Sequence, residues 1–194
     1  MTNSRPALSP LDGRYAHLVD DLAHEFSEDA LNRTRLEVEI EWFITLCANG
    51  IAGASPLADA QQASLRAVVT EFDDSERAAL GAIEQTTQHD VKAVEYYLRG
   101  KLEGLGLDHL AELTHFAATS EDINNLSYAL MTKRSVERVW LPAAQAVLDA
   151  LVERARQWSD IPMLARTHGQ PATPTTFGKE LAVFAHRLKG QLPG

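Results

Sequence analysis

Residues 166–176 read R-T-H-G-Q-P-A-T-P-T-T and place a histidine in a stretch of chain with little backbone freedom. Gly169 leaves close access to His168, while nearby prolines restrict the backbone on both sides. An imidazole titrates near neutral pH, so a rigidly held histidine can give or take a proton during a reaction. The pattern predicts that His168 acts as a general acid or base.

A second polar stretch, T-T-Q-H-D at residues 86–90, lies directly before a segment with helical periodicity. His89 is therefore expected where backbone N–H groups point outward, a location that suits anions. The alternative is that Asp90 only caps the helix and His89 is its neighbour. The remaining histidines are interpreted as hydrogen-bonded or solvated, namely His17, His24, His109, His115 and His186.

A third stretch, T-S-E-D-I-N-N at residues 119–125, resembles a capping box formed by Thr119 and Asp122. Capping accounts for one hydroxyl and leaves Ser120 and two adjacent asparagines, which are poor helix formers, unexplained. A helix N-terminus with two hydroxyls would hold a carboxylate well. A ligand-binding role is favoured here over capping alone.

A fourth stretch, S-P-L-D-G-R-Y at residues 9–15, contains an Asp-Gly turn that would present Arg14 and Tyr15 side by side. Arginine binds phosphate through two parallel hydrogen bonds, and tyrosine adds a hydroxyl or a stacking face. A plain surface turn that happens to contain an arginine is the alternative.

No other chemistry is supported by the sequence. It has no glycine-rich phosphate loop, no H-E-x-x-H and no serine–histidine nucleophile motif. His89 and Asp90 could nominally bind a metal, but no third or fourth ligand has suitable spacing. We expect neither a metal nor a cofactor.

Composition narrows the class of protein. The chain has 194 residues, a formal net charge of −9 and one cysteine, Cys47, which excludes an internal disulfide framework. The acidic balance argues against nucleic-acid binding, and no apolar run is long enough to cross a membrane. With no signal-peptide pattern at its start, the protein is expected to be cytoplasmic. A small anionic ligand could still meet a few local cations, and the candidates are Arg14, Lys92, Arg166 and Lys179.

Almost every periodic segment predicts a helix, and no convincing strand pattern is present. Residues 1–27 look irregular, and helices are expected over residues 28–48 and again after Pro56. Ser75 is expected to cap a third helix, and Asp90 a fourth. The predicted fold class is all-α.

The second half of the chain predicts longer helices. One begins near Glu121 and should be kinked or divided at Pro142, whereas Thr173 caps and Pro174 begins the last. The expected division separates a small N-terminal helical domain, residues 1–107, from the first long helices of a bundle, residues 108–194. These helices have too few partners to cover their apolar stripes, so other subunits, or a longer parent chain, should cover them.

The four stretches, taken together and in order, resemble the bacterial adenylosuccinate lyases of the fumarase/aspartase superfamily over about residues 8–190. T-S-x-D-x-x-N and T-H-x-Q-x-A recur in sister lyases, whereas S-P-L-D-G-R-Y and H-D-V-K-A-V-E-Y favour the adenylosuccinate branch. The resemblance implies a central bundle of the fumarase/aspartase type and a β-elimination that releases fumarate. Adenylosuccinate would give AMP, and the succinyl-carboxamide ribotide of purine synthesis would be cleaved likewise.

The resemblance also implies a role for each candidate residue. His168 matches the general acid that protonates the departing nitrogen, and Thr167 and Gln170 flank it. The residues that match substrate-binding positions are Arg14 and Tyr15 for the nucleotide and its phosphate, Gln88, His89 and Asp90 as a trio, and Thr119 and Ser120 for the succinyl part. The family forms homotetramers whose active sites draw on several subunits, which makes a homotetramer the expected state of the parent protein.

Two departures from the family pattern matter. Gln88 stands where asparagine is usual, which puts ligand geometry there in doubt. The family's general base, a serine in a loop of the form G-S-S-x-M-P-H-K-x-N-P, has no counterpart in the sequence, and neither do the later arginines of the nucleotide site. The chain alone is therefore expected to be weakly active or inert.

Two other interpretations remain open. The chain could belong to another fumarate-releasing lyase, such as argininosuccinate lyase, and turnover of that substrate would identify it. It could also be a helical assembly module without catalysis, which would self-associate but ignore AMP and fumarate.

Overall fold

The structure, a computed structural model, describes residues 7–192 and consists mainly of α-helices, as the fold class predicts. Its helices are α1 (Asp20–Phe26), α2 (Glu28–Ala48), α3 (Asp59–Thr70), α4 (Asp74–Thr87), α5 (Asp90–Gly104), α6 (Ser120–Ser135), α7 (Leu141–Gln157) and α8 (Phe177–Lys189). Two short strands, β1 (Pro162–Thr167) and β2 (Gln170–Thr176), form an antiparallel hairpin.

The chain divides into two compact units, the first ending at Ser135 and the second beginning at Val136. That division differs in place from the domain boundary expected after residue 107. The predicted boundary separates domains of the family, whereas the observed division separates compact units. The predicted domain boundary therefore stays a prediction.

Helix α2 forms the centre of the first unit, and its bounds match the prediction of a helix over residues 28–48. Its apolar face packs with α5 and with apolar residues of α3 and α4 into one core. The fully buried members include Leu36, Ile40, Phe43, Cys47, Leu65, Leu98 and Leu102. Each large apolar side chain removed from water contributes about 1.5–3 kcal/mol, so this core holds α2 and α5 firmly in register.

Two helix caps of the first unit differ from those predicted. Helix α4 is capped by Asp73, whose carboxylate accepts hydrogen bonds from two backbone N–H groups, while Ser75 lies inside the first turn. Helix α5 is capped by His89 and begins with Asp90. In both cases the capping residue is the one with extended backbone torsions, which the sequence pattern does not reveal.

The N-terminal segment is less irregular than predicted. A 3₁₀ turn covers Ala16–Leu18, and α1 follows from Asp20 to Phe26. Ser27 then separates α1 from α2 and caps α2 by accepting a hydrogen bond from the Ala30 N–H at 3.2 Å. Residues 1–6 of the predicted irregular segment lie outside the described residues.

The second unit begins with a π-helical stretch, Val136–Trp140, followed by α7. Pro142 is in the first turn of α7, so the predicted interruption is confirmed. A proline lacks the N–H needed for an i→i−4 bond, and a wider π turn accommodates the missing bond.

The predicted stiff connection between the last two helices is the β1–β2 hairpin, although no strand was predicted there. Thr173 and Pro174 belong to β2, so the predicted cap and start of the last helix are wrong. Thr176 caps α8 instead, accepting a hydrogen bond from the Lys179 N–H. An isolated hairpin can contain prolines because the outer edges of its strands need no N–H donors. The pairing is also irregular between Leu164 and Arg166, where the strand forms a bulge.

The base of the hairpin is fixed by a close approach of α8 to the end of α7. The N–H groups of Phe177 and Gly178 donate to the carbonyls of Ile161 and Trp158, each at 2.9 Å. The rings of Phe177 and Trp158 stack with centroids 5.0 Å apart. A Cβ on Gly178 would lie 2.2 Å from the carbonyl oxygen of Ala155, so only glycine fits there.

Within residues 7–192, none of the helices combines the length and apolar character that crossing a membrane requires.

Candidate functional site

A cavity of about 150 Å³ in the first unit collects several of the predicted site residues. It lies where the N-terminus of α5 meets the turn before α6. Its lining residues are His89, Val91, Lys92, Glu95, His115 and Ser120. The structure thus brings together His89 and Ser120, which are 31 positions apart in sequence, with Lys92, one of the candidate cations.

His89 has its ring orientation set by the helix that it caps. Its Nδ1 accepts a hydrogen bond from the Lys92 backbone N–H at 3.2 Å. A nitrogen that accepts from an amide carries no proton, so the proton of the neutral ring is on Nε2. His89 therefore offers an N–H donor beyond the helix end, where the α5 dipole also favours an anion.

His115, predicted to be an ordinary hydrogen-bonded or solvated histidine, lines the cavity. Its Nδ1 is 2.5 Å from Oε1 of Glu39, whose side chain is fully buried. Its φ of 59° lies in the left-handed region, which is uncommon for a residue other than glycine. Burial raises the pKa of Glu39, and the hydrogen bond from His115 only partly offsets that rise.

Glu39 could have been noticed in the sequence. It lies three residues after Leu36 and four before Phe43, on the apolar stripe of α2, where a carboxylate is unusual. No comparable signal marks His115, because a left-handed backbone torsion depends on the surrounding turn. A charged residue on a predicted core stripe points to a buried pair but does not identify its partner.

The other charged side chains at the cavity, Lys92 and Glu95, form ion pairs with neighbours on α5. Glu95, almost fully buried, accepts from Lys92 at 2.7 Å and lies 3.2 Å from Arg99. Lys92 also lies 5.5 Å from the ring of Tyr96. These contacts hold the Lys92 ammonium at the cavity without leaving the Glu95 carboxylate uncompensated.

Asp90 is half exposed and is paired with Arg35, and it is not one of the residues that line the cavity. Arg35, almost fully buried, donates to Asp90 at 2.6 Å and to the amide oxygen of Asn124 at 2.9 Å. Burial would raise the pKa of Asp90, but the hydrogen bond from Val91 and the charge of Arg35 outweigh it and lower that pKa. Arg35 thereby ties the first turn of α5 to the second turn of α6.

The start of α6 shows half of the expected capping box. The Thr119 N–H donates to the Asp122 carboxylate at 2.9 Å, and Ser120 lines the cavity. The two asparagines that capping left unexplained have structural partners: Asn124 contacts Arg35 and Glu121, and Asn125 contacts Glu121. A ligand is therefore not needed to account for the asparagines. The prediction of ligand binding at the start of α6 now depends only on Thr119 and Ser120.

Gln88 lies outside this cavity and lines a separate hollow with residues of α4. It ends α4 with a φ of 52°, and its side-chain amide donates to the Gln85 carbonyl at 2.7 Å. Asparagine, the residue that the sequence resemblance implies for this position, adopts such left-handed torsions more readily than glutamine. The glutamine at position 88 therefore adopts a backbone torsion that asparagine would adopt more readily.

Arg14 and Tyr15 lie side by side, with the Arg14 guanidinium 4.7 Å from the centre of the Tyr15 ring. Asp12 shapes the turn by accepting hydrogen bonds from the N–H groups of Leu8 and Ser9 and from the Ser9 hydroxyl. These hydrogen bonds lower the pKa of Asp12, with the bond from the Ser9 hydroxyl the largest cause. Both members of the pair are exposed and accessible to a phosphate.

His168 occupies the tip of the β1–β2 hairpin in the second unit. Thr167 pairs with Gln170, leaving only His168 and Gly169 in the turn. Their φ values of 48° and 73° are both left-handed, as a tight hairpin turn of two residues requires. Such a torsion costs a histidine about 1–2 kcal/mol and fixes its Cα–Cβ direction, so the imidazole is presented on a rigid, exposed turn.

No three histidine, cysteine, aspartate or glutamate side chains in the described part of the chain are grouped as a metal would require. The absence of a metal and of a cofactor stays a prediction.

A family model described as "Lyase" matches residues 13–192. The chain belongs to this lyase family. Among curated relatives, the adenylosuccinate lyase of Escherichia coli strain K12 is 45% identical over 191 residues, which cover 97% of this chain and 42% of the relative. That of Dictyostelium discoideum is 45% identical over 197 residues, covering 98% and 42%. This member of the lyase family thus spans about two fifths of the length of the curated relatives that it matches.

Solved structures agree at the level of the fold. The β-carboxy-cis,cis-muconate cycloisomerase of Acinetobacter calcoaceticus superposes with a TM-score of 0.69 at 20% identity, covering 89% of this chain and 39% of that one. The fumarate lyase of Mesorhizobium sp. BNC1 gives 0.67 at 23% identity, covering 88% and 39%. The predicted fold class is confirmed.

Proposed function

We propose that this chain is part of an enzyme that cleaves adenylosuccinate to AMP and fumarate, and the succinyl-carboxamide ribotide of purine synthesis in the same way. The observation that carries the proposal is His168, held at a strained two-residue turn in a chain whose curated relatives are named adenylosuccinate lyases. A rigid turn is a costly place for a histidine unless its position is used.

In the proposed β-elimination, a base removes a proton from the carbon beside a carboxylate, and the C–N bond breaks. The electron pair of the C–H bond forms the double bond of fumarate, and the pair of the C–N bond leaves with nitrogen. His168 supplies the proton that this nitrogen needs, flanked by Thr167 and Gln170. General acid catalysis of this kind contributes typically about 10²–10⁴-fold.

Substrate binding is assigned to the remaining predicted residues. Arg14 and Tyr15 form a paired cationic and aromatic surface suited to a nucleotide and its phosphate. The Nε2–H of His89, the Ser120 hydroxyl and two helix N-termini provide donors for carboxylate oxygens. Thr119 lies beside Ser120. Gln88 and Asp90 flank His89 in sequence but lie outside the cavity, and they complete the proposed set of substrate-binding residues.

We further propose that the parent protein is a homotetramer, because apolar side chains remain exposed on helices of both units. On α6, Leu126 and Tyr128 are 56% and 47% exposed, and in the second unit Val147 and Phe184 are 55% and 58% exposed. A groove of about 530 Å³ between α2 and α6 is lined mainly by apolar residues, among them Trp42 and Leu130. Copies of the same protein would cover these surfaces. Light scattering during size-exclusion chromatography tests this, and a strictly monomeric parent would contradict it.

A chimera tests the catalytic proposal. The part of the Escherichia coli adenylosuccinate lyase that matches this chain is replaced by residues 1–194, and products from adenylosuccinate and argininosuccinate are identified. We expect AMP and fumarate from the chimera, none after His168→Ala, and little change after His186→Ala, an exposed histidine of α8. The chain alone is expected to be weak or inert, because no counterpart of the serine loop is present. Turnover of argininosuccinate only, or full activity of the His168→Ala chimera, would refute the assignment.

A further inference from the structure

The two histidines of the 150 Å³ cavity are held by hydrogen-bond partners of opposite character. Nδ1 of His89 faces a backbone N–H, which only donates. Nδ1 of His115 faces Oε1 of Glu39, which accepts when ionised. With Glu39 ionised, the same ring atom is an acceptor in His89 and a donor in His115.

We infer that Glu39 is a positioning residue that fixes His115 as the Nδ1–H tautomer, opposite to His89, so that the cavity offers one ligand both an N–H donor and a nitrogen lone pair. His89 supplies the donor through Nε2–H, and His115 supplies the lone pair through Nε2. The ligand class is a molecule carrying a carboxylate oxygen next to a polar hydrogen. This assignment rests on the proposed function, in which a succinyl group attached to an N–H provides both.

The placement of Glu39 is difficult to explain by stability. Its carboxylate is fully buried on the apolar stripe of α2, and Oε2 has no hydrogen-bond partner among the described residues. A well-packed apolar side chain of similar size would avoid the desolvation of a carboxyl group. The left-handed φ of His115 adds a second unfavourable feature at the same contact. Both features are explained if the contact serves to orient the ring.

The other charged groups at the cavity leave this contact intact. Lys92 and Glu95, both from α5, are paired with each other at 2.7 Å. Arg99 contributes a second cation to Glu95 at 3.2 Å. Glu39 is therefore the carboxylate that carries the contact with His115, and the Lys92 ammonium is already engaged.

Nitrogen-15 NMR of the histidine rings tests the inference without ligand or turnover. Spectra of the chain are recorded under mildly alkaline conditions, at about pH 8. We expect Nδ1 to be the protonated nitrogen of His115 and Nε2 that of His89. The same tautomer in both rings would overturn the inference. This result does not depend on catalysis, so a failed chimera assay and a failed tautomer assignment are distinguishable.

Variants of Glu39 test its role. Glu39→Met keeps the length of the side chain but removes the acceptor, and we expect His115 to lose its fixed tautomer and show averaged nitrogen shifts. Glu39→Gln retains an acceptor oxygen and should restore the Nδ1 proton, whereas Glu41→Met, on the exposed side of the same helix, should change nothing. A fixed Nδ1–H signal in a folded Glu39→Met protein would overturn the inference.

The chimera gives the functional readout. There, Glu39→Met is expected to lower kcat/KM for adenylosuccinate about tenfold or more, the effect of losing a hydrogen bond to a charged group. Glu39→Gln should recover part of the loss. An unchanged kcat/KM in the Glu39→Met chimera would remove the positioning role even if the tautomers are opposite.

Discussion

Replacing Gly178 with alanine tests how tightly α8 is seated on α7. The new Cβ would lie 2.2 Å from the Ala155 carbonyl oxygen and 2.7 Å from the Ser159 nitrogen, both backbone atoms. Since real Cβ contacts essentially never fall below 3.0 Å, the helices must separate by about 0.8 Å. Overpacking costs about 1–3 kcal/mol, and rigid backbone on both sides places this case near the upper end. The stack of Phe177 on Trp158 would loosen as well.

Thermal unfolding followed by circular dichroism measures the effect. For a chain of 150–250 residues, each kcal/mol shifts Tm by about 2–4 °C, so Gly178→Ala should lower Tm by roughly 5–10 °C. If the two units unfold separately, the shift belongs to the transition of the unit containing α7 and α8. Gly100→Ala is the matched control, because Gly100 is exposed within α5 and a Cβ there meets nothing within 4 Å. That control should gain about 0.5–1 kcal/mol. A Gly178→Ala protein as stable as wild type would refute the packing argument.

Three further predictions concern the first unit. Gln88→Asn should raise the free energy of unfolding by a few tenths to about 1 kcal/mol in urea titrations, because asparagine tolerates the left-handed φ of 52°, while Gln85→Asn inside α4 should lower it slightly. Arg35→Ala should lower the free energy of unfolding by about 1–3 kcal/mol, because the hydrogen bonds of a buried arginine are lost and its partners are left unpaired. An unchanged free energy of unfolding would contradict the tie between α5 and α6. Because the pKa of Glu39 is raised in the fold above 4.5, the native state holds that proton to higher pH than the unfolded chain, so stability relative to Glu39→Gln should fall as pH rises from about 4.5 toward neutrality. A difference between the two proteins that does not change with pH in chemical denaturation would refute this.

Helical periodicity was the most reliable signal in the sequence. The spacing of Leu36, Ile40 and Phe43 reflects burial against α5, and the predicted bounds of α2 agree with the structure. The β1–β2 hairpin could not be found this way, because its residues are mostly exposed and alternate no apolar face. Its turn has no Asn-Gly or Asp-Gly signature, and His-Gly is not one of the dipeptides that commonly mark a two-residue hairpin turn.

The position of a candidate residue was predictable where it depends on local chain geometry. His89 and Ser120 follow from helix starts, and both line the cavity. The third cavity residue, His115, is held by a contact with Glu39, which is 76 positions away in sequence. No local sequence pattern encodes such a contact. Asn124 shows the reverse case, since a residue that looked functional has a structural partner in Arg35.

The contacts of Arg35 have a consequence for the order of folding. Its bonds to Asp90 and Asn124 join positions 55 and 89 residues away along the chain. Each bond closes a long loop whose entropy must be lost before the contact contributes anything. Helices α2 and α5 can form early from local contacts, but the joint between the starts of α5 and α6 cannot. We expect the cavity to appear late in refolding, after the core of the first unit has collapsed.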